Sequence, residues 1–327
     1  MKTNTKISVG ILGGAGYTGG ELLRLLLLHP SVAIQFVHSR SNAGLLLSEV
    51  HTDLIGDTDM RFTTIIKTTV DVLFLCLGHG ESIKVINELK IDKSIKIIDL
   101  SQDFRLNSNT NSTFVYGLPE LNREAIKTAQ NIANPGCFAT AIQLALLPLA
   151  AHQMIQSDVH VNCTTGSTGA GQSLSASSHF TWRQNNLSVY KAFTHQHLGE
   201  INQSLKQLQP MMNATIVMIP QRGAFTRGIL ASLVVKSDKS LEALQEVFSN
   251  YYKEQPFVHL STKNIDLKQV VNTNKCLLYL EKHDDELLIV SIIDNLLKGA
   301  SGQAVQNMNL LFGLPETEGL QLKASAF

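Results

Sequence analysis

Cys137 follows a polar turn, Asn134-Pro135-Gly136, and stands directly before an apolar run from Phe138 to Ala151. That run lacks Gly and holds Pro only at position 148, so it reads as a helix with Cys137 in its first turn. There, N–H groups without intrahelical acceptors and the positive dipole end stabilise a thiolate. The stretch alone accommodates either a nucleophile or an inert buried cysteine. A second dense cluster runs from Tyr190 to Glu200 and carries His195 and His197. Glu200 lies three residues beyond His197 at the start of a helical pattern with Ile201, Leu205 and Leu208 on one side. Its carboxylate can therefore orient the imidazole. His197, or alternatively His195, is the candidate general base for Cys137. Two histidines at i and i+2 lack the HExxH arrangement and have no further ligand nearby in sequence, so no metal is expected.

The elements upstream read as a nucleotide domain. A strand signal, Ile7–Leu12, runs into Gly13-Gly14-Ala15-Gly16-Tyr17-Thr18-Gly19 and then a leucine-rich helix beginning near Glu21. Strand, glycine loop and helix together form the dinucleotide context, in which a pyrophosphate meets bare backbone and a helix N-terminus. The second strand, Val32–His38, ends in Ser39-Arg40-Ser41 with no carboxylate to accept from ribose hydroxyls. Arg40 and the serines suit a 2′-phosphate, which favours NADP(H) over NAD. Strand signals at 70–77 and 95–100, with a helix at 83–89 between them, continue the βαβ alternation of a parallel sheet. Arg105, after the second of these, is a candidate anion ligand, or else a surface partner of Asp103. A short strand at 131–133 leads to Asn134 and Cys137.

Beyond the cysteine helix, a strand at 159–163 opens into a glycine- and hydroxyl-rich stretch, Thr164 to Ser173. Without a following Lys-Ser/Thr pair it is no Walker loop. Ser167 and Gly169 either present donors to an anion or belong to a flexible connection. Strands at 215–219, 228–235, 275–281 and 286–294, with a helix at 241–252, suggest a mostly antiparallel sheet. Arg222 and Arg227 bracket Gly223–Thr226 as a plausible anion-binding pair. Gly299 and Gly302 interrupt a closing helical segment; close approach to a flat ring such as nicotinamide is one physical account.

Composition narrows the class. Of 327 residues 44% are hydrophobic and 17% charged, and Lys+Arg equals Asp+Glu at 27 each, so no nucleic acid or anionic membrane is expected as partner. The opening residues carry no signal-peptide block, and no apolar run is long enough to span a bilayer. The four cysteines, Cys76, Cys137, Cys163 and Cys276, form no CxxC pair. A cytoplasmic enzyme is the expectation.

With these motifs in order, the chain resembles the N-acyl-gamma-glutamyl-phosphate reductases over essentially its whole length. The markers are Gly13–Gly19, Ser101-Gln-Asp-Phe-Arg105, Tyr116-Gly-Leu-Pro-Glu120, Asn134–Cys137 and Lys298–Asn307. The resemblance implies an α/β protein of the semialdehyde dehydrogenase type: a Rossmann-like NADP-binding domain (1–136), then an α/β catalytic and oligomerisation domain with a mostly antiparallel sheet (137–298). A last helix (299–327) would pack back on the first domain, bringing Gly302, Gln303 and Asn307 to the cofactor. It implies that Cys137 attacks an acyl phosphate, releases phosphate and forms a thioester that NADPH reduces to a semialdehyde in arginine biosynthesis. Arg105, Asn134, Ser167, Gly169, Arg222 and Arg227 would contact the substrate, and relatives are dimers or tetramers. The family's His-Arg-His reads His195-Gln196-His197 here, and its Tyr-Pro-Thr after the cysteine reads Phe138-Ala139-Thr140. These departures lie around substrate recognition and leave the acyl group as acetyl or succinyl. Aspartate-semialdehyde dehydrogenase is a rival enzyme reading. A non-catalytic NADP-binding regulator is a rival of another class.

Overall fold

The computed structural model describes residues 6–89, 91–92, 94–106 and 113–326. The opening residues Met1–Thr5 and the Asn-, Ser- and Thr-rich positions 107–112 lie outside these. The chain forms two compact units, Met1–Pro135 with Ala300–Gln321, and Gly136–Gly299 with Leu322–Phe327.

In the first unit the elements run β1 (Ile7–Leu12), α1 (Tyr17–Leu27), β2 (Val32–His38), α2 (Leu47–Val50), β3 (Phe62–Thr63), β4 (Val72–Leu75) and α3 (Glu81–Leu89). They continue with β5 (Lys96–Asp99), β6 (Phe114–Tyr116), α4 (Pro119–Thr128) and β7 (Asn131–Ala133). The seven strands form a wholly parallel sheet ordered β3-β2-β1-β4-β5-β7-β6. β1 and β4 are almost entirely apolar and buried, as central strands covered on both faces must be. The order reverses beside β1, so β1 and β4 diverge at the glycine loop, the usual ligand crevice of a doubly wound sheet. The helix numbered last in the chain, α9 (Gly302–Leu311), belongs to this unit and packs on α1 and α4. Ser301 Oγ donates to the Thr18 carbonyl at 2.8 Å, tying its start to the glycine loop's helix.

The second unit contains α5 (Cys137–Ala151), β8 (Val159–Thr165), α6 (Phe180–Arg183), β9 (Ser188–Val189), α7 (His197–Leu208) and β10 (Ile216–Arg222). There follow β11 (Ile229–Lys236), α8 (Leu241–Tyr252), β12 (Val258–Ser261), β13 (Cys276–His283) and β14 (Glu286–Ile293). The sheet order is β12-β13-β14-β11-β8-β10-β9. It is mixed: β12 pairs with β13, and β10 with β8, in parallel, and the other pairings are antiparallel. β10 extends three residues beyond the 219 end that periodicity suggests. Pro220 disguises that extension, yet Gln221 and Arg222 pair with β8 on one side and β9 on the other.

α5 is the core of this unit. It is buried from Phe138 to Ala150 and packs on β11, β14, α7 and α8. Pro148 has no N–H to give the Leu144 carbonyl four residues back. The Tyr252 hydroxyl of α8 donates to that carbonyl instead, at 2.5 Å, and Ser291 Oγ of β14 reaches the Ala141 carbonyl at 2.8 Å. Tyr252→Phe should leave the Leu144 carbonyl buried without this donor and cost about 1–2 kcal/mol. Urea unfolding, with the slope unchanged and the midpoint lowered, is the measurement.

Candidate active site

Gly136, in extended conformation, is the N-cap of α5, and Cys137 is the first helical residue. A helix opening with no acidic residue in its first turn offers its positive end to the sulfur. Gly136 is pinned from two sides. Its N–H donates to Glu200 Oε2 at 2.9 Å, and the His197 ring lies so close that a Cβ on Gly136 would meet Nε2 at 2.3 Å. Only glycine fits between the cysteine turn and this imidazole.

His197 is the first residue of α7 and Glu200 belongs to its first turn. Glu200 Oε1 is 3.9 Å from His197 Nε2. One buried carboxylate therefore addresses both the imidazole and the amide preceding the cysteine. His195 stands just before the helix, its ring centroid 4.6 Å from that of His197, and Phe138 meets both rings edge-on. The His195 Nδ1 accepts from the His197 backbone N–H at 3.2 Å, which puts the ring proton of a neutral His195 on Nε2. Burial, assisted by the Lys191 charge, lowers its pKa to about 4. The loop delivering His195 is tightly wound: Lys191 and Phe193 adopt φ of +46° and +62°, a conformation side chains disfavour.

A third element approaches the cysteine. Arg227 Nε and Nη2 donate to the two Asp294 carboxylate oxygens at 3.0 and 3.1 Å. Asp294 also accepts from the Leu296 and Leu297 amides, at the start of a π-helical turn, Leu297–Ser301. Such turns recur at functional sites. The turn carries Gly299 past Cys137, where a Cβ would fall 2.8 Å from the Cys137 Cβ. The absence of a side chain at Gly299 thus serves an approach to the cysteine within the protein. Gly302 is the first residue of α9, not an interior one.

Several expected substrate ligands are engaged otherwise. Arg227 is forked onto Asp294. The amides of Ser167 and Thr168 donate to the Phe225 and Thr226 carbonyls, and that of Gly169 to the Gly166 carbonyl, so these three amides are engaged within the protein. Arg105 is buried rather than paired on the surface, and gives Nε to the Asn134 carbonyl at 2.8 Å and Nη2 to the Leu100 carbonyl at 2.9 Å. Asn134 is engaged through both side-chain ends, donating to the Ala300 carbonyl and accepting from Asn307 Nδ2 at 3.1 Å. Asn307 also donates to the Gly117 carbonyl. Asn307, buried in α9, therefore belongs to a polar seam inside the first unit, and Gln303 is buried in the same helix. Arg222 ends β10 and lies over the Tyr190 ring. Arg183, which no local motif singles out, sits beside it.

The nucleotide loop has the geometry a dinucleotide requires. Gly13 has φ of +77° and passes so near the Cys76 carbonyl that a Cβ would meet it at 2.3 Å. Gly16 caps α1, which begins at Tyr17, and His51 Nε2 steadies the loop by donating to the Gly14 carbonyl at 2.8 Å. At the end of β2, Ser39 and Ser41 are linked through Asn42, and Arg40 is exposed, with no ion pair to a carboxylate among the described residues. An exposed unpaired guanidinium at this position fits a 2′-phosphate. Among the described residues no group of His, Cys, Asp and Glu could hold a metal ion, and no helix is long and apolar enough to cross a membrane.

The semialdehyde dehydrogenase NAD-binding domain profile matches residues 8–129, and the semialdehyde dehydrogenase dimerisation domain profile matches residues 137–295. Among solved structures, aspartate semialdehyde dehydrogenase II of Vibrio cholerae shares the fold at TM-score 0.76 and 17% identity, over 94% of this chain and 99% of that one. The Candida albicans aspartate semialdehyde dehydrogenase, solved with NADP, matches at TM-score 0.69 and 14% identity, over 94% and 99%. The chain is thus an oxidoreductase of the semialdehyde dehydrogenase class, with that class's NAD-binding and dimerisation domains. It is 59% identical to the N-acetyl-gamma-glutamyl-phosphate reductases of Flavobacterium johnsoniae and Bacteroides thetaiotaomicron, over 98% of this chain and 100% of theirs. It belongs to the N-acetyl-gamma-glutamyl-phosphate reductase family.

The His195 environment predicts a pH dependence. The unfolded chain takes up the His195 proton near the ordinary value of 6.5, whereas the folded chain resists it until about 4. The associated stability is complete above pH 6.5 and is lost as pH falls through 6.5 towards 4. The native melting temperature should drop by a few degrees across that window, and His195→Gln should flatten the drop; calorimetric scans at stepped pH measure both.

Proposed function

We propose that this enzyme reduces an N-acyl-glutamyl phosphate to the N-acyl-glutamate semialdehyde in arginine biosynthesis, with Cys137 as nucleophile. The observation that carries the reading is Cys137 at the head of a buried helix, with His197 and Glu200 packed on the residue before it. His197 takes the thiol proton, held by Glu200. The Cys137 sulfur attacks the acyl phosphate carbonyl, the C–O bond to phosphate breaks, and inorganic phosphate leaves a thioester on Cys137. Amides of the first turn of α5 support the oxyanion that forms on attack. NADPH, when bound, supplies the hydride that reduces the thioester. Collapse of the resulting thiohemiacetal returns the sulfur of Cys137 and releases the aldehyde, with His197 managing the proton. Neutral His195, its proton on Nε2, is suited to donate a hydrogen bond rather than to act as the base.

The Gly13–Gly19 loop would hold the pyrophosphate and Arg40 the 2′-phosphate. The relatives named above act, by name, on the N-acetyl substrate; acetyl or succinyl remains the acyl choice for this chain. The likeness to aspartate semialdehyde dehydrogenases is one of fold, at 14–17% identity. We place the enzyme in the cytoplasm, as a homo-oligomer. The dimerisation-domain match supports self-association, as do the exposed apolar residues Leu174, Phe180, Leu187, Val189 and Phe193 of one segment of the second unit.

The test is a reverse assay supplying N-acyl-glutamate semialdehyde, phosphate and NADP. Native enzyme should form NADPH and Cys137→Ser should form none; no turnover by the native enzyme would sink the proposal. In the same assay Arg40→Ala should raise the KM for NADP about tenfold or more while leaving that for NAD nearly unmoved.

A further inference from the structure

Arg183 closes the short helix α6, and Arg222 closes β10. The β9–β10 pairing brings them together, because Arg222 lies opposite Ser188. Arg183 Nη1 donates to the Arg222 carbonyl at 3.2 Å and Nη2 to Ser188 Oγ at 3.3 Å. The Arg222 guanidinium lies over the Tyr190 ring, 4.7 Å from its centroid, and Tyr190 meets His195 at 5.8 Å. Arg222 is thus linked to His195 through the Tyr190 ring, and Arg183 to the Arg222 backbone.

Their charge is not balanced by the protein. Arg183 is only 8% exposed, and the Nε atoms of both arginines are buried without a hydrogen-bond partner. Among the described residues neither forms an ion pair with a carboxylate. Burial and the Arg222 charge both disfavour the charged form of Arg183, with no acid to offset them. A buried cation beside a half-buried one, each with an unused Nε donor, is costly unless an anion completes them. A guanidinium's Nε and Nη donors match the two oxygens of a carboxylate. Arg227, by contrast, has its charge met by Asp294.

We propose that Arg183 and Arg222 form a subsite for a carboxylate of the substrate. The proposal rests on the reductase reading above and deepens it. Two carboxylates have this chemistry: the α-carboxylate of the glutamyl moiety, and the terminal carboxylate of a dicarboxylic acyl group such as succinyl. Tyr190 is the spacer that sets this subsite against His195.

Reverse kinetics on N-acetyl- and N-succinyl-glutamate semialdehyde should be compared for the native enzyme, Arg183→Gln, Arg222→Gln, and the charge-keeping Arg183→Lys and Arg222→Lys. The Gln variants should raise the aldehyde KM about tenfold or more, with kcat within about threefold and the phosphate KM unmoved, and the Lys variants should recover part of the loss. A rise with both aldehydes assigns the α-carboxylate; a rise with the succinyl compound alone assigns the acyl carboxylate. An unmoved aldehyde KM, or a rise confined to phosphate, overturns the subsite while the reductase reading stands. If a Gln variant fails to melt cooperatively, the Lys variants decide: a raised aldehyde KM at preserved kcat supports the subsite, and native-like KM values overturn it. Turnover of neither aldehyde by the native enzyme overturns the reductase reading and the subsite with it.

Discussion

Glu200 reaches out of α7 to the N–H of Gly136, and much of the second unit follows from that hydrogen bond. A buried carboxylate must find donors or lose its charge. Here it meets the amide immediately before Cys137 and stands beside the His197 imidazole. The same side chain thus sets the entry of α5 and the position of the candidate base. Because His197 fills the space a Cβ at position 136 would take, the base and the cysteine turn cannot drift apart without opening a void.

The rest of the unit holds that contact rigid. α5 is buried almost throughout, and the carbonyl that Pro148 leaves without a helical donor is met by Tyr252 of α8. From the other side, the Arg227–Asp294 fork supports the π-helical turn that carries Gly299 past Cys137. Left-handed Lys191 and Phe193 concentrate strain in the loop that presents His195, where a catalytic site keeps strain if the surroundings sustain it. Stability and reactivity are coupled through the same few residues.

The first unit follows a different logic. Its apolar parallel strands need no polar pairing beyond the ladder, and its polar work gathers at strand ends. Asp99 accepts from the Ser82 and Ser101 hydroxyls at 2.6 and 2.7 Å, which offsets a burial that pushes its pKa upward. Arg105, Asn134 and Asn307 extend this into a connected seam reaching α9. Residues that read as ligands of substrate or cofactor are here first the ligands of each other.

Local sequence sufficed where a residue's chemistry is expressed within a few neighbours. The glycine loop, the first-turn position of Cys137, the acid-free end of β2 and the limits of β2, β7 and α8 all depend on spacing, chain geometry and helix or strand period, and were legible. Contacts between distant segments were not. Nothing near Arg227 announces Asp294, nothing near Gly299 announces Cys137, and the amides of Ser167 and Thr168 gave no sign of being taken by the 225–226 turn. Arg183 carries no local signal, because it follows an exposed, aromatic stretch without periodicity, and Pro220 hides the end of β10 that brings Arg222 beside it. The sequence by itself determined the order of the elements, the glycine loop, the acid-free end of β2 and the place of Cys137 at the head of a helix. Only the tertiary structure decided which charges are satisfied inside the protein and which are left to meet a ligand, since that is settled by pairing across a sheet rather than along the chain.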